Sequence, residues 1–397
     1  MPAPRDHRVT GGAPSGAAGP APSDRRESLA QYTGALFFSV SLGITLVAYP
    51  LFVVGEGRSK TVAGVLIGLS AAVQVLTRWQ LGALMRVVSN ANVISAAAVL
   101  KCAAVGLLVL SPGMAALVVS AALQGMARAF FWTGNQVQIV RSSRPTPKAI
   151  ATLNMTATIG MLIGPALGGF IAGRSFGAAF AVASAVALAS VVPTLMLHRP
   201  PPFARVGGHG YRDLLRNRGV QVGVWASIAV GAWRGLLGSY VPIGLDAAGS
   251  SEFLIGVVVA VANGAAAIGG YAAVPMVGPR VAPGVARWGA VTLVATAFVG
   301  FELHIALMTA ALVVGGVATG LIQVLAITAI SETVQDELTG DAVTLVGVAR
   351  GLTLSGAPLG VAALLVLGLG PAVLVATTVL VAPAAVFSDS RAWRPRR

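Results

Sequence analysis

Long apolar runs alternate with short polar breaks along the chain from about residue 29 to residue 387. Each run approaches the roughly 20 apolar residues with which a helix crosses a hydrocarbon core of about 30 Å. Because lipid offers no partner to an unpaired backbone group, and because the runs do not alternate with a period of two, the spans are predicted to be helices. The runs predict twelve spans: 29–54, 60–81, 92–111, 114–140, 149–172, 175–197, 219–245, 252–277, 284–301, 303–330, 342–368 and 371–387.

The composition agrees with a membrane protein. The 397 residues include 56% hydrophobic and only 10% charged residues, and the mean hydropathy of +0.82 is too high for a domain in water. The predicted fold class is therefore an all-α polytopic membrane protein. Residues 1–28 are rich in Pro, Gly, Ala and Arg and lack the apolar segment of a signal peptide, so a disordered cytoplasmic tail is predicted there.

Basic residues predict the orientation. With the N-terminus in the cytoplasm, most of the 27 Lys and Arg residues fall in cytoplasmic segments, Arg78 among them. Only Arg58, Lys60 and Arg174 fall in segments on the outer side of the membrane. This excess predicts that both termini are cytoplasmic. Topology thus explains the net charge of +14, and we do not expect a nucleic-acid partner.

The chain repeats itself at a nearly constant offset of 192 or 193 residues. The matched positions are Pro50 with Pro242, Gly64 with Gly256, and Pro165 with Pro358. Such an offset indicates two homologous halves. We predict six-helix bundles at 29–197 and 219–387, a basic cytoplasmic linker at 198–218 and a basic cytoplasmic tail at 388–397.

Span five carries the pattern Gly160-x3-Gly164-Pro165-x2-Gly168-Gly169, and span four contains LQGMARAFFWTGNQ at 123–136. Together with six plus six spans and a long basic central loop, these motifs resemble the major facilitator superfamily. The glycine–proline pattern resembles that of its drug/proton antiporter branches. The resemblance implies two pseudo-symmetric six-helix bundles, alternating access and export. Two positions differ from the family's motifs, because Arg86 stands where the family has an aspartate and Ala121 where it has an arginine.

The glycines of span five predict a close helix contact. Gly160, Gly164 and Gly168 lie four residues apart, so they share one helix face and let another backbone approach. We expect this face to meet the small residues of span eight at 264–270, along the seam on which the halves rock. Pro165 is expected to bend the helix. The alternative is that the glycines serve static packing.

In the superfamily, spans one, four, seven and ten face a central cavity, so their polar residues are the candidate substrate-binding residues. These are Tyr49 in span one, Arg128, Trp132, Asn135 and Gln136 in span four, Trp233, Arg234 and Tyr240 in span seven, and Gln323 in span ten. A charge at the bilayer centre costs at least about 2.5 to 3.5 kcal/mol, so Arg128 and Arg234 are the first candidates. The alternative is pairing with backbone carbonyls or snorkelling, which we favour for Lys101 and Arg350.

The acidic residues, unlike the arginines of spans four and seven, do not lie in the middle of the predicted spans. All 13 acids and all 4 histidines lie in loops, tails or span ends. Arginines without a mid-membrane acid favour an anionic or zwitterionic solute. Proton coupling would then use an end-of-span acid such as Asp246 or Glu302, or protons are not the coupling ion. The aromatic residues Trp132 and Trp233 leave an amphipathic solute as an alternative.

Two loops of opposite charge predict a cytoplasmic gate. The loop after span four is basic and its repeat counterpart after span ten is acidic, so ion pairs are predicted to close the seam. The residues are Arg86, Arg141 and Arg144 on the basic side and Glu332, Asp336, Glu337 and Asp341 on the acidic side. The alternative is a solvated acidic loop.

The sequence therefore predicts a secondary active transporter that moves a small molecule by alternating access and exports a drug-like or metabolite solute. The alternatives are a proton-independent facilitator or exchanger of an anionic or zwitterionic solute, and a non-transporting receptor or scaffold. The absence of clustered His, Asp or Glu within the spans argues against an enzyme, and a single cysteine, Cys102, excludes a thiolate metal cluster. We expect a monomer in a bacterial cytoplasmic membrane, without a cofactor, and protons are one candidate coupling ion.

Overall fold

The computed structural model describes residues 22–85, 87–140, 146–199, 211–273, 275–276, 281–300, 305–334 and 336–367. The helices in these ranges are α1 (Pro22–Gly55), α2 (Lys60–Leu84), α3 (Asn90–Leu110), α4 (Met114–Val140), α5 (Thr146–Ala172), α6 (Phe176–Ala189), α7 (Val191–Leu195), α8 (Tyr211–Arg216), α9 (Arg218–Leu237), α10 (Tyr240–Ala247), α11 (Glu252–Ala272), α12 (Val281–Gly300), α13 (Ile305–Ser331) and α14 (Asp336–Val366). Ten of these helices are long and apolar enough to cross a membrane. The all-α membrane fold is confirmed, and predicted span twelve lies outside the described residues.

Three predicted elements have different boundaries in the structure. Helix α1 begins at Pro22, inside the predicted tail, because proline is favoured at the first helical position. Predicted span six is interrupted between α6 and α7, and predicted span seven between α9 and α10. Each interruption lies about four residues before a proline, Pro193 or Pro242, since a proline cannot donate to the carbonyl one turn earlier.

The turns that follow α1 and α10 have the same construction. Gly57 has φ of +74° and Gly249 has φ of +79°, a region in which glycine avoids the strain of a side chain. Two residues later, Ser59 Oγ accepts from the Val62 amide and Ser251 Oγ accepts from the Leu254 amide, which caps α2 and α11. The equivalent turns support the internal repeat found in the sequence.

The halves meet along two helix pairs. α5 packs against α11, and α2 packs against α14. Within the first half α1 contacts α5 and α6, and α4 contacts α2 and α3; within the second half α9 contacts α13 and α14. We call the end of the bundle where α1 ends and α2 begins the distal end, and the opposite end the proximal end. The predicted orientation would place the distal end outside the cytoplasm.

The glycine face of α5 packs against α1 instead of α11, which differs from the expected partner. A Cβ added at Gly160 would lie 2.6 Å from Ser39 Cβ, and one added at Gly164 would lie 2.8 Å from Gly43 Cα. Gly168 lies against the backbone of Ile44 in the same way. The next residue, Gly169, is turned by about 100° and packs on Glu252 and Gly256 of α11.

The small residues of α11 also have a different main partner from the predicted one. Gly269 packs on the backbone of Val317 in α13, which belongs to the same half. Gly264 meets α5, where an added Cβ would lie 3.1 Å from Leu162 Cδ1. The two glycine-rich faces therefore close the interior of each half, and the seam between halves uses the adjacent residues.

A proline ring occupies each of two equivalent helix contacts. A Cβ added at Gly43 in α1 would lie 2.6 Å from Pro165 Cδ in α5. A Cβ added at Gly235 in α9 would lie 3.1 Å from Pro358 Cδ in α14. These two contacts hold α1 and α9, the first helices of the two halves, against their neighbours.

An apolar cluster joins the halves at the distal end. Val47 and Leu51 of α1 pack with Trp233 and Leu237 of α9 and with residues of α10, α11 and α13. Next to this cluster, a Cβ added at Gly238 would lie 2.6 Å from Leu46 Cδ1. The distal ends of α1, α9 and α10 are therefore in direct contact.

The close contact of α1 with α5 predicts the effect of a single methyl group. Gly164→Ala should lower the free energy of unfolding by about 1 to 3 kcal/mol, because the new Cβ would force the two backbones apart. Thermal unfolding of the purified protein in detergent, followed by tryptophan fluorescence, measures this.

The matched control is Gly356→Ala in α14, where an added Cβ meets nothing within 4 Å. Alanine favours a helix over glycine by about 1 kcal/mol, so this variant should be as stable as the parent or more stable. Equal unfolding temperatures for the two variants would contradict the close contact.

Candidate functional site

Arg128 lies near the middle of α4, deep within the bundle, and is half-buried. Its Nε donates to the Gln124 carbonyl at 3.3 Å, and its Nη2 donates to Ser70 Oγ of α2. α2 comes this close because Gly125 of α4 packs directly on the Ser70 backbone. These contacts use part of the guanidinium, so the remaining donors can face a solute.

Lys101 of α3 is the largest departure from expectation. The side chain is completely buried, and Nζ donates to Thr45 Oγ1 of α1 and to Gln124 Oε1 of α4, both at 2.8 Å. Gln124 Nε2 in turn donates to Ser120 Oγ at 3.2 Å. Snorkelling or backbone pairing was the expectation, but neutral side-chain oxygens of two other helices hold the ammonium inside the first half.

Arg234 and Gln323 were predicted separately, and the structure brings them together. Arg234 Nη2 of α9 donates to Gln323 Oε1 of α13 at 2.9 Å. The Arg234 side chain is solvent-accessible although it lies deep among the helices, which places it on an internal cavity. The Gln323 oxygen orients the guanidinium without neutralising its charge.

Arg78 and Arg350 join these residues, although the sequence analysis assigned neither to the site. Arg78 was counted with the cytoplasmic residues, and Arg350 was expected to snorkel or to pair with backbone carbonyls, but Arg78 lies within α2 and Arg350 within α14. Both side chains are half-buried and lie deep in the protein. Arg350 interacts electrostatically with Arg234 and Arg78, and Arg78 with Arg128. A chain of four arginines therefore runs from α4 through α2 and α14 to α9.

Several other predicted binding residues lie in packed interior. Trp233 is 3% exposed within the distal apolar cluster, and Tyr49 donates its hydroxyl to the Leu117 carbonyl at 2.9 Å. Asn135 is 1% exposed and bonds the Phe131 carbonyl, while its own carbonyl accepts from Gln31. Tyr240 packs its hydroxyl onto Gly64 of α2, across the seam.

The remaining residues of span four are more open. Trp132 is partly buried, with its ring 5.5 Å from that of Phe131 in an edge-on arrangement. Gln136 is exposed, one turn closer to the proximal end. These two residues and Arg128 are the span-four candidates that stay accessible in this conformation.

The predicted cytoplasmic gate lies mostly outside the described residues. Arg86, Arg141 and Arg144 are not described, and the same holds for the side chains of Asp336, Glu337 and Asp341 in the first turns of α14. Glu332 is described and partly buried just after α13. The gate therefore stays a prediction.

Of the two end-of-span acids considered for proton coupling, Asp246 lies in the described part of the chain. Asp246 is exposed at the distal end, where desolvation and then Glu252 raise the pKa of its carboxyl, and Lys60 opposes that rise. Glu302 lies outside the described residues. In the described part of the chain, no three His, Cys, Asp or Glu residues form a group that could hold a metal ion.

The Lys101 network predicts a non-additive pair of substitutions. Gln124→Leu should lower the free energy of unfolding by about 1.5 to 3 kcal/mol, because it removes a hydrogen bond to a buried ammonium and leaves that ammonium with a single acceptor. Adding Lys101→Met to that variant should restore most of the loss, since the unpaired charge is then gone. Thermal unfolding in detergent measures both variants, and a double variant no more stable than Gln124→Leu would contradict the network.

The comparisons with known proteins agree with this arrangement. The model of the family described as Major Facilitator Superfamily matches residues 32–358. The fold is similar to an inward-facing, unoccupied bacterial homolog of the human lysosomal transporter Spinster, with TM-score 0.70, 17% identity, and coverage of 95% of this chain and 100% of that chain.

Two further structures are similar in fold. A mutant of the nucleoside transporter NupG has TM-score 0.75 at 10% identity over 91% of this chain and 99% of that chain. The human organic anion transporter MFSD10 has TM-score 0.63 at 16% identity over 93% of this chain and 100% of that chain. No curated protein sequence matches the chain. The family model covers most of the sequence and the architecture agrees with it, so the chain belongs to the Major Facilitator Superfamily and has the fold of its transporters.

Proposed function

We propose that the chain is a secondary transporter that moves an anionic or zwitterionic small molecule by alternating access. The observation that carries the proposal is the chain of arginines along the cavity, Arg128, Arg78, Arg350 and Arg234. In the described spans the acidic residues lie at or near helix ends, so no carboxylate balances these charges. An arginine inside a membrane protein needs polar partners for its donors, and an anionic group of a solute supplies them through charge-assisted hydrogen bonds.

The same charges disfavour an organic cation as the solute. Four guanidinium groups in a medium of low dielectric constant would repel a cation much more strongly than they would in water. The export direction and the drug/proton antiport suggested by the span-five motif stay predictions, because that motif packs against α1 and its contacts carry no information on direction.

Alternating access would require the distal contact to open. Leu46, Val47 and Leu51 of α1 lie against α9 and α10 there, whereas Arg128 lies near the middle of α4 and Arg234 lies in the last turn of α9, beside that contact. A solute bound at the arginines reaches the distal side only if these apolar side chains separate. The contact is small and apolar, so its rupture is compatible with rocking of two otherwise rigid halves.

Arg234→Gln tests the charge at the cavity. The variant keeps hydrogen-bonding capacity but loses the charge, so the KM for an anionic solute should rise by about 10-fold to 100-fold. Uptake of radiolabelled phosphate esters, dicarboxylates and amino acids into vesicles containing the purified protein measures this. Arg174→Gln is the matched control, since Arg174 is exposed just after α5 at the distal end, where it donates to the Phe170 carbonyl and lies over the Phe170 ring. Equal KM values for both variants would argue against the proposal.

A cross-link tests the distal opening. Leu46→Cys with Gly238→Cys, in a Cys102→Ser background, places two thiols across the seam where Leu46 Cδ1 and a Gly238 Cβ would be 2.6 Å apart. Oxidation should stop transport, and reduction should restore it, because the disulfide holds the halves together distally. Unchanged transport in the oxidised protein, with the cross-link confirmed by mass spectrometry, would contradict alternating access at this contact.

The coupling ion is tested with a pH-sensitive dye inside the same vesicles. Facilitated or exchange transport of an anion predicts solute movement without a dye response, because the described spans hold no mid-membrane acid. A substrate-dependent dye response that disappears in Asp246→Asn would instead identify proton coupling through this distal carboxyl.

A further inference from the structure

Arg78 and Arg350 stand on opposite sides of the seam between the halves. α2 carries Arg78 and α14 carries Arg350, and these two helices pack against each other. A Cβ added at Gly351 would lie 2.9 Å from Val75 Cγ2, so the residue after Arg350 meets the helix face one turn before Arg78. The two guanidinium groups interact electrostatically across this contact.

Both arginines have donors that the protein leaves unused. The Nε atoms of Arg78 and Arg350 are buried and have no hydrogen-bond partner among the described residues. One turn before Arg78, Gln74 Oε1 is likewise buried without a donor. Buried polar atoms are nearly always satisfied in native proteins, so two unpaired arginine donors on packed helices, with an unpaired acceptor one turn from Arg78, point to a bound group that would satisfy them.

Two like charges at a packed seam also repel each other. In a medium of low dielectric constant that repulsion opposes the packing of α2 against α14, and an anion between the guanidinium groups would relieve it. Electrostatic interaction continues from Arg78 to Arg128 and from Arg350 to Arg234, so a single negative charge would leave most of the positive charge unbalanced.

We propose that Arg78 and Arg350 together bind one tetrahedral, doubly charged oxyanion of the phosphate class, which bridges the two halves of the protein. This site rests on the proposed function and narrows its solute to one that carries a phosphate group. A tetrahedral oxyanion offers oxygens on several sides, so two arginine forks can bind it from opposite helices, whereas a single carboxylate is matched by one fork. Gln74 Oε1 would accept a hydrogen bond from a hydroxyl group of the solute next to the phosphate.

The bridge would also link binding to conformation. An anion that contacts α2 of one half and α14 of the other binds most tightly when the halves are close at this seam. A bound phosphate group therefore replaces repulsion by attraction and shifts the population toward the conformer in which α2 and α14 are packed. Release of the solute weakens the seam again.

The first test uses inorganic phosphate and the purified full-length protein in detergent. At constant ionic strength, phosphate should raise the unfolding temperature saturably, and chloride and succinate should raise it less. Arg78→Gln and Arg350→Gln should each raise the half-saturating phosphate concentration by at least about tenfold, since each removes one of two charged forks. Arg174→Gln should leave it unchanged.

Three results would overturn the site. They are the absence of a phosphate-dependent shift, a shift that survives in both arginine variants, and a larger shift with succinate than with phosphate. Arg78→Lys separates charge from geometry. This variant keeps the positive charge but loses the planar pair of guanidinium donors, so it should still weaken phosphate binding.

A charge reversal tests the geometry without any ligand. Arg350→Glu should pair with Arg78 across the seam, so its unfolding temperature in chloride should exceed that of Arg350→Gln, and it should no longer respond to phosphate. If Arg350→Glu is no more stable than Arg350→Gln, the two residues do not face each other and the site is wrong.

The site and the proposed function fail in different ways. Suppose that vesicles take up an anionic solute in a manner that depends on Arg234 but not on Arg78 or Arg350. This result would support the proposed transport and contradict the bridging site. Suppose instead that phosphate binds through Arg78 and Arg350 but that the vesicles take up no anionic solute. This result would support the bridging site and contradict the proposed transport.

Discussion

The direct backbone contact of α1 with α5, repeated by α9 with α14, is the constraint on which the arrangement of helices depends. In lipid, helices gain little from burying apolar surface and associate through close packing instead. Gly43 receives the Pro165 ring, and Gly235 receives the Pro358 ring in the equivalent place of the second half. Because each half is closed internally in this way, α1 and α9 keep fixed positions, and the polar residues that they and their neighbours carry are held at fixed depths.

Positive charge without a counter-charge is the second constraint. Lys101 is satisfied inside the first half by Thr45 and Gln124, and it serves the packing of three helices. The four arginines are different, because among the described residues Arg234 donates to a neutral amide oxygen, and the buried Nε donors of Arg78 and Arg350 have no partner there. A protein that tolerates such donors at the junction of its halves is poised to bind an anion there, which connects the chemistry of the cavity to the movement of the halves.

The distal contact between the halves differs in kind from the contacts within them. Hydrogen-bond networks connect helices of the same half, and glycine contacts occur both within the halves and between them, at Gly169 and Gly256, whereas the distal seam consists of apolar side chains such as Leu46 and Leu51 and of the Tyr240 ring on Gly64. Apolar contacts of this kind are not directional, so they can separate and re-form without leaving polar groups unsatisfied. An apolar distal seam of this kind is compatible with the rocking of the halves in this superfamily.

The sequence by itself determined the solvent, the secondary structure, the positions of the helices and the repeat, because lipid forces every backbone group into a helix and apolar length then records each span. It also identified Arg128, Arg234 and Gln323 as polar residues in apolar surroundings. The tertiary structure decided which faces meet. Helical spacing placed Gly160, Gly164 and Gly168 on one face, but only the packed helices selected α1 as the partner of that face. The partners of Lys101, and the approach of Arg78 to Arg350, join residues from different helices, and no pattern within a single span encodes such a distance.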